Sequence, residues 1–168
     1  MNNYSHIKPK KSEFQEKVLE IKRVTRVMAG GKRMSFRATV ILGDKKGKVG
    51  LGIGKGLDVA ASVEKAKRQA QKNMITVNLK DKRTIPYEIE EKFDAARVRL
   101  KPAKKNHGLI AGGSVRTVLE LAGIKDISAK ILGRTTNKLT NALAAMKALN
   151  KLENVESKPI ESKTEENK

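Results

Sequence analysis

The stretch from Gly31 to Gly56 reads GKRMSFRATVILGDKKGKVGLGIGKG and decides the fold of the first half of the chain. Its first half alternates apolar and polar residues, which is typical of a strand with one buried face. A turn at Asp44 to Gly47 follows, and glycine then recurs at every second residue as far as Gly54. We expect two antiparallel strands, the first with one apolar face and one face open to solvent or a ligand. The apolar residues are Met34, Phe36, Ala38, Val40 and Leu42, and the polar ones are Arg33, Ser35, Arg37 and Thr39.

The flanking residues extend this pair into a small domain. We interpret residues 18–28 as a further strand, which joins the next one through Ala29, Gly30 and Gly31. Asp58 can cap a helix, because a short acidic side chain accepts hydrogen bonds from free backbone N–H groups at a helix start. An apolar stripe at helical spacing supports that helix; it consists of Val59, Val63, Ala66 and Ala70. Residues 13–79 therefore predict a βββα domain.

The hydrophobic pattern lapses at residues 80–84, which we interpret as a linker, and a second domain follows at residues 85–152. Alternation predicts strands beginning at Ile85 and at Arg97, the second ended by Pro102. The remaining patterns complete a ββαβα order. They predict a helix capped by Ser114 and closed by Gly123, a strand at residues 127–131, and a helix opened by Thr136 or Asn137. Residues 1–12 and 153–168 are polar and aperiodic, so we expect flexible tails.

The charge of the chain points to a polyanionic partner. The 168 residues carry a formal charge of +19, and because the last sixteen residues are acidic, the preceding part carries +21. Nucleic acid is the leading partner, since a polyanion relieves the self-repulsion of such a chain; a merely solvated basic surface is the alternative. With no cysteine, no long apolar run and no export signal, we expect a cytoplasmic protein without membrane contact.

The alternating glycines are the first candidate site. In a strand, Gly50, Gly52 and Gly54 lie on one face and leave the backbone bare, so another backbone can approach closely. With Lys48 and Lys55 beside them, the expected guest is a sugar-phosphate chain, and the alternative is a purely local role. If the guest is RNA, Gly52→Val should weaken binding and leave the domain folded. A phosphate-cradling GxxxxGK[ST] loop is excluded, because that pattern fails at two positions, Val49 and Gly56.

Two other basic segments are candidates for RNA contact. One is the hairpin tip from Ala29 to Arg33; the other is a basic strand face that runs into Lys104, Lys105 and His107, for which a solvated face is as good an interpretation. The strand face consists of Arg97, Arg99 and Lys101. The two histidines have no metal-ligand spacing, and no catalytic constellation is present. Because aromatic residues make up only 3% of the chain, folded RNA contacted through its phosphates fits better than stacked bases.

Several of these motifs together resemble the small-subunit ribosomal protein S-five family. In the first domain they are the segment from Gly31 to Ala38, the Gly43-Asp44 pair with the glycines and Lys55 after it, and Lys72-Asn73-Met74. In the second domain they are Leu100 to Ala103, Ile110 to Gly113 with Arg116, Leu119 to Gly123, and Lys130. The resemblance extends from about Glu13 to Leu152. The chain departs from the family pattern at Ala29, Ile53, Asn106-His107 and the segment from Arg134 to Lys138.

The resemblance implies an α+β protein with a double-stranded-RNA-binding-like first domain and an α/β second domain with a left-handed crossover. It implies a non-enzymatic constituent of the small ribosomal subunit, without cofactor, metal or small-molecule substrate. It also implies neighbours S-four and S-eight, a position near the messenger entry path, an effect on decoding accuracy, and a hairpin loop beside the spectinomycin pocket of ribosomal RNA. A free-standing RNA-binding or RNA-processing enzyme is the alternative function.

The candidate residues combine the patterns with the resemblance. The expected protein contacts are Gly108 and Arg116. The expected RNA contacts are Arg26, Gly30, Gly31, Lys32, Arg33, Lys48, Gly50, Gly52, Gly54, Lys55, Lys104, Lys105, His107 and Arg134.

Overall fold

A computed structural model describes residues 14–81 and 83–155 of the chain. The tails expected at residues 1–12 and 153–168 lie outside the described residues, except that the last helix extends to Val155. The part of the chain that the structure describes contains two four-stranded sheets and three helices. None of these helices is long and apolar enough to cross a membrane.

The first sheet confirms the βββα prediction and adds a short fourth strand. Its strands are antiparallel and lie side by side in chain order. Their bounds are β1 (Gln15–Met28), β2 (Gly31–Gly43), β3 (Lys48–Gly56) and β4 (Met74–Thr76). Helix α1 (Val59–Lys72) begins after Asp58 as expected, although the Asp58 side chain makes no capping hydrogen bond.

Both faces of the first sheet are covered near the β2–β3 turn. On one face Val40 and Leu42 pack against Ala66 and Ala70 of α1. On the other face Ile41 is fully buried in the core that the first sheet shares with the second domain. The expectation that this second face of β2 meets solvent or a ligand is therefore wrong here, because the second domain occupies it. Further along β2, toward the hairpin tip, the same face becomes accessible: Arg37 and Ser35 are half-buried and Arg33 is exposed.

The second domain is a mixed sheet with helices on one face. The strand order is β5-β6-β8-β7, and only the β7–β8 pair is parallel. The strands are β5 (Ile89–Phe93), β6 (Ala96–Pro102), β7 (Leu109–Ile110) and β8 (Ile127–Ile131). The helices are α2 (Gly113–Ala122) and α3 (Lys138–Val155). The crossover from β7 through α2 to β8 is present, and its left hand stays a prediction.

The expected ββαβα order of this domain omits the short strand β7, and two of the expected element bounds also need correction. The first strand begins at Ile89 and not at Ile85, because Pro86 has no N–H for a strand ladder and the segment before it turns into the core, where Ile85 is fully buried. Helix α2 follows Gly112 as its N-cap, so Ser114 is a buried residue inside the helix and not its cap. The left-handed Gly123 at its end is confirmed, with φ +86°.

The two domains are joined through backbone hydrogen bonds. The last carbonyl groups of a helix have no partner within that helix. At the end of α2 the β2–β3 turn supplies partners: the N–H of Lys45 donates to the carbonyl of Leu121 at 3.1 Å, and the N–H of Gly47 donates to that of Ala122 at 3.0 Å. A Cβ atom on Gly123 would lie 2.2 Å from the carbonyl oxygen of Lys45. The turn therefore packs directly against the backbone at the end of α2, and a side chain at position 123 would not fit between them.

Candidate nucleic-acid interface

Strands β1 and β2 extend beyond the rest of the first sheet as a two-stranded ribbon. Strand β3 ends at Gly56, which pairs with Phe36, so the ribbon from there to the tip has no third strand. The ribbon closes in a tight turn between Met28 and Gly31, which pair with each other. The predicted hairpin is thus confirmed, and it projects from the body of the protein. Its turn is shorter than the expected loop from Ala29 to Arg33, because Lys32 and Arg33 already lie in β2.

One face of this region carries two rows of cations, which we call the distal basic face. Residues directly opposite each other in antiparallel strands share a face. Lys22 lies opposite Arg37, and Arg37 lies opposite Lys55, so three cations form one row across β1, β2 and β3. Arg26 and Arg33 form a second row nearer the tip. Neighbouring strands lie about 5 Å apart and the rows roughly 13 Å apart, so this face presents a compact field of positive charge.

Four of these five cations lack acidic partners among the described residues. Among the described residues, no carboxylate lies within ion-pair distance of Arg26, Arg33, Arg37 or Lys55. Lys22 pairs with Glu20 at 3.1 Å. A charged side chain that is solvated but unpaired can exchange water and counterions for phosphate without first breaking an ion pair. The distal basic face therefore has the electrostatics of a polyanion-binding surface.

The tip of the ribbon combines charge with exposed apolar side chains. Lys32 lies opposite Val27 on the other face of the ribbon, so Lys32 and Arg33 point to opposite sides. Val27 is 74% exposed and Met34 is 48% exposed. Gly30 and Gly31 line a shallow hollow of about 300 Å³ with Arg33. The ribbon can thus contact a surface on both sides at once.

The bare glycine face does not belong to this interface. A Cβ atom on Gly52 would lie 2.1 Å from the carbonyl oxygen of Ala66, and one on Gly54 would lie 2.1 Å from that of Ser62. Gly50 makes the same approach to Ala70, at 2.3 Å. The pattern correctly predicted a close backbone approach, but the backbone that approaches is that of helix α1 and not that of RNA. The three glycines are therefore wrong as RNA contacts, and the expectation that Gly52→Val leaves the domain folded fails with them.

The basic strand face of the second domain is largely neutralised by carboxylates of the neighbouring strand and the segment before it. The Nε and Nη2 atoms of Arg99 both donate to Oε2 of Glu90 at 3.0 Å, and Arg97 also pairs with Glu90. Lys101 pairs with Glu88 at 3.5 Å. The Arg99 hydrogen bonds, helped by the charge of Arg97, lower the pKa of the Glu90 carboxyl. The interpretation as a solvated charged face is favoured here over RNA contact.

The loop between β6 and β7 presents its basic residues on a fixed support. The carboxylate of Asp126, only 2% exposed, accepts from Arg83 Nε at 2.8 Å and from the N–H of Gly108 at 3.0 Å. Hydrogen bonding to Arg83, then to the Gly108 N–H, lowers the pKa of this carboxyl. Arg83 also donates to Asn106 at 3.2 Å. The loop is therefore held in place, and its exposed cationic side chains are Lys104 and Lys105, with His107 beside them.

The remaining predicted residues are scattered. Lys48 lies at the start of β3, at the opposite end of the sheet from the hairpin tip. Arg134 is exposed in the loop before α3, next to Gly133, which contacts the β5–β6 turn. Arg116 is exposed on α2. Within the described residues no cluster of His, Asp and Glu could hold a metal ion.

Two cations of the distal basic face are absent from the predicted set. Arg37 follows Arg33 and Ser35 at strand spacing, so the alternation of β2 already placed it on the correct face. Lys22 needs the pairing register of β1, which shifts at a bulge between Val18 and Glu20. A bulge moves every later side chain to the other face, so the sequence pattern of β1 alone could not place Lys22.

Comparisons with known proteins match both domains. Residues 14–78 match the family described as Ribosomal protein S5, N-terminal domain, and residues 91–163 match Ribosomal protein S5, C-terminal domain. Small ribosomal subunit protein uS5c of Guillardia theta is 49% identical over 142 residues, 84% of this chain and 83% of that protein. The uS5c protein of Cyanophora paradoxa is 48% identical over 148 residues, 88% of this chain and 87% of that protein. The uS5 protein of Gloeobacter violaceus is 50% identical over 141 residues, 84% of this chain and 63% of that protein.

Proposed function

This chain belongs to the ribosomal protein S5 family, and we propose that it is a structural component of the small ribosomal subunit that binds ribosomal RNA mainly through the distal basic face. The RNA-binding part of this proposal rests on the two rows of cations on β1 to β3. Four of these five cations have no acidic partner among the described residues. The alternative of an RNA-processing enzyme has no support in the family, whose relatives are named as ribosomal subunit proteins.

The arrangement suits folded RNA contacted through its phosphates. Phosphate contacts position a protein on its nucleic acid without reading sequence, and long cationic side chains on a projecting ribbon can reach a groove or a ridge of phosphates. The backbone of the hairpin tip, bare at Gly30 and Gly31, adds room for close approach; a Cβ atom at either glycine would meet nothing within 4 Å. Lys104, Lys105 and His107 on the anchored loop, with Lys48 and Arg134, supply separate contacts.

The experiment is retention on the small subunit through a salt series. Full-length chain and the variant Arg33→Gln/Arg37→Gln/Lys55→Gln are bound to subunits that lack this protein, and the bound fraction is measured by sedimentation at increasing potassium chloride. Loss of three phosphate contacts should lower the slope of log affinity against log salt by up to about three units. The matched control is Arg97→Gln/Arg99→Gln/Lys101→Gln, which removes the same charge from the paired face. Equal losses in the two variants would refute the assignment of the distal basic face.

Finer features of the proposal concern neighbours and decoding. The family resemblance suggests proteins S-four and S-eight as neighbours and messenger RNA close by, with Gly108 and Arg116 at a protein contact. Arg116 is exposed and Gly108 is held at φ +80° by Asp126, which supports a preformed surface there. An effect of Arg116→Ala on misreading in a translation assay would support a role in decoding accuracy.

A further inference from the structure

The tip of the ribbon carries an exposed methionine beside its cations. Met28 pairs with Gly31 across the turn and lies on the distal basic face, two residues beyond Arg26 on the same side of β1. It is 46% exposed. Met28 also belongs to the wall of the hollow of about 300 Å³ at the tip, which we call the tip hollow. The residues that line the tip hollow are Met28, Gly30, Gly31, Lys32 and Arg33.

The tip hollow lies in a purely cationic stretch of the chain. Residues 21–37, which include the whole ribbon, contain six Lys and Arg residues and no Asp or Glu. Two of these cations, Lys32 and Arg33, line the hollow itself. No carboxylate of the described part of the chain lies within ion-pair distance of either. A small anion is therefore attracted to the space beside Met28.

The other methionines provide references for the reactivity of Met28. The chain has five methionines and no cysteine, so no thiol competes for an oxidant. Met146 is 8% exposed in the core, and Met74 is half-buried against α1. Met34 is 48% exposed, nearly the same as Met28, but it lies on the opposite face of the ribbon and does not line the tip hollow. Met34 therefore has the exposure of Met28 without its hollow.

We propose that Met28 is an oxidation site at which anionic peroxides act on the free chain, and that its sulfoxide weakens RNA binding. The sulfur attacks the outer oxygen of the peroxide, so that an S–O bond forms and the O–O bond breaks. With peroxymonosulfate, sulfate leaves with the bonding electron pair and takes up the proton of the transferred oxygen. The thioether loses two electrons and the peroxide gains them. Methionine sulfoxide reductases reverse the change.

The effect on RNA binding rests on the proposed function. Met28 shares a face with Arg26 and Arg33, which we propose contact phosphates. Oxidation converts an apolar thioether into a polar group whose oxygen carries partial negative charge. The sulfoxide should therefore repel the phosphates that the neighbouring arginines attract. RNA bound to this face should in turn shield Met28 from the oxidant.

The first experiment maps the oxidation of each methionine in the full-length chain by mass spectrometry. Neutral hydrogen peroxide should oxidise Met28 and Met34 at rates within about twofold of each other, because their exposures are nearly equal. Peroxymonosulfate at low salt should favour Met28 by at least about threefold, and about 0.5 M potassium chloride should remove this preference. Equal rates at the two residues with peroxymonosulfate at low salt would overturn the oxidation site.

Charge variants test whether the tip hollow causes the preference. Lys32→Gln/Arg33→Gln should reduce the preference of peroxymonosulfate for Met28 and leave the hydrogen peroxide rates unchanged. The matched control is Lys65→Gln/Lys72→Gln, which removes equal charge from the exposed surface of α1. This control should keep the preference. An equal reduction in both variants would assign the preference to net charge and overturn the role of the hollow.

The second experiment measures retention on small subunits that lack this protein. Chain treated with peroxymonosulfate should bind about threefold more weakly than its untreated form, the size of one polar contact, and reductase should restore binding. Met28→Leu should bind equally before and after treatment, whereas Met34→Leu should lose affinity as the parent does. Undiminished binding of chain whose Met28 is verified as sulfoxide would overturn the effect on RNA binding.

Oxidation of the assembled subunit separates this inference from the proposed function. Bound RNA should slow the oxidation of Met28 by peroxymonosulfate relative to the free chain. If Met28 reacts equally fast in both states, the distal basic face does not contact RNA. That result would refute the proposed function together with the effect of the sulfoxide on RNA binding, and it would leave the oxidation site of the free chain intact.

Discussion

Strands β2 and β6 both carry basic residues at strand spacing on one face, but they leave different amounts of charge available. On β2, Arg33 and Arg37 lie beside strands that bring further cations, Arg26 and Lys55 among them. On β6, Arg97 and Arg99 lie opposite β5, where Glu90 pairs with both. The side chains on the adjacent strands decide whether a cation is paired. A binding face is therefore predicted by the pairing register of the strands and not by the charge pattern of one strand alone.

Helix α1 covers the face of the first sheet that lies opposite the distal basic face, and Gly52→Val tests this arrangement. A side chain at this position meets the backbone of α1, with its Cβ 2.1 Å from the carbonyl oxygen of Ala66. Overpacking against the helix backbone should destabilise the chain by about 1 to 3 kcal/mol or more, measured by urea unfolding. Gly30→Ala is the control, because nothing lies within 4 Å of its Cβ, and it should stay within about 0.5 kcal/mol of the parent. A stable, folded Gly52→Val protein would mean that α1 does not rest on this face.

This glycine face shows how far sequence reasoning could reach. The alternation of Gly50, Gly52 and Gly54 does predict a close backbone approach, and the small residues Ala66 and Ala70 of α1 were visible at the spacing that fits them. Choosing between a helix and an RNA strand as the guest required knowing which face of β3 the helix covers. Sequence periodicity assigns residues to faces but does not say which neighbour takes which face.

The candidate site shows the same limit. The hairpin, the basic tip and the exposed position of Arg33 follow from local patterns, and all are present. The pairing of Arg97 and Arg99 with Glu90 depends on the β5–β6 register, and the contact of the β2–β3 turn with α2 joins residues far apart in the chain. Such contacts arise from tertiary packing, so the distal basic face and the joint between the two domains could be located only in the folded protein.

The variant Glu88→Gln/Glu90→Gln should turn the β6 face into one that resembles the β2 face. The substitutions keep side-chain shape but release Arg97, Arg99 and Lys101 from their acidic partners. Because freed cations can contact phosphates, we expect non-specific affinity for duplex RNA to rise by up to about tenfold, with a steeper salt dependence. The measurement is a filter-binding titration at several salt concentrations. The control Glu64→Gln, on the exposed surface of α1, releases a single cation, Arg68, and should change affinity less. An unchanged affinity for the double variant would show that ion pairing does not decide which face binds.

Asp126→Asn should weaken the support of the basic β6–β7 loop in a pH-dependent way. Hydrogen bonding to Arg83 and Gly108 lowers the pKa of Asp126 from its ordinary 3.8, so the folded state favours the ionised carboxylate. That contribution to stability is present above the unfolded pKa and is lost as pH falls through the folded pKa. The parent should therefore melt at a higher temperature than the variant at pH 7, and the gap should close below about pH 4. Asp94→Asn, in an exposed turn, is the control. A gap that stays constant down to pH 3 would rule out the carboxylate charge as its cause.

Arg116→Ala should have the smallest effect on the fold, because Arg116 is exposed and belongs neither to the distal basic face nor to the ion-paired face of β6. Its side chain is exposed on α2, on the side away from the buried Val115, Val118 and Leu119. Unpaired surface charges contribute little to folding, so the free energy of unfolding should stay within about 1 kcal/mol of the parent. Any change in subunit retention or in misreading would then arise from a lost external contact. Clear destabilisation in urea, combined with unchanged misreading, would instead place Arg116 among the residues that serve only the fold.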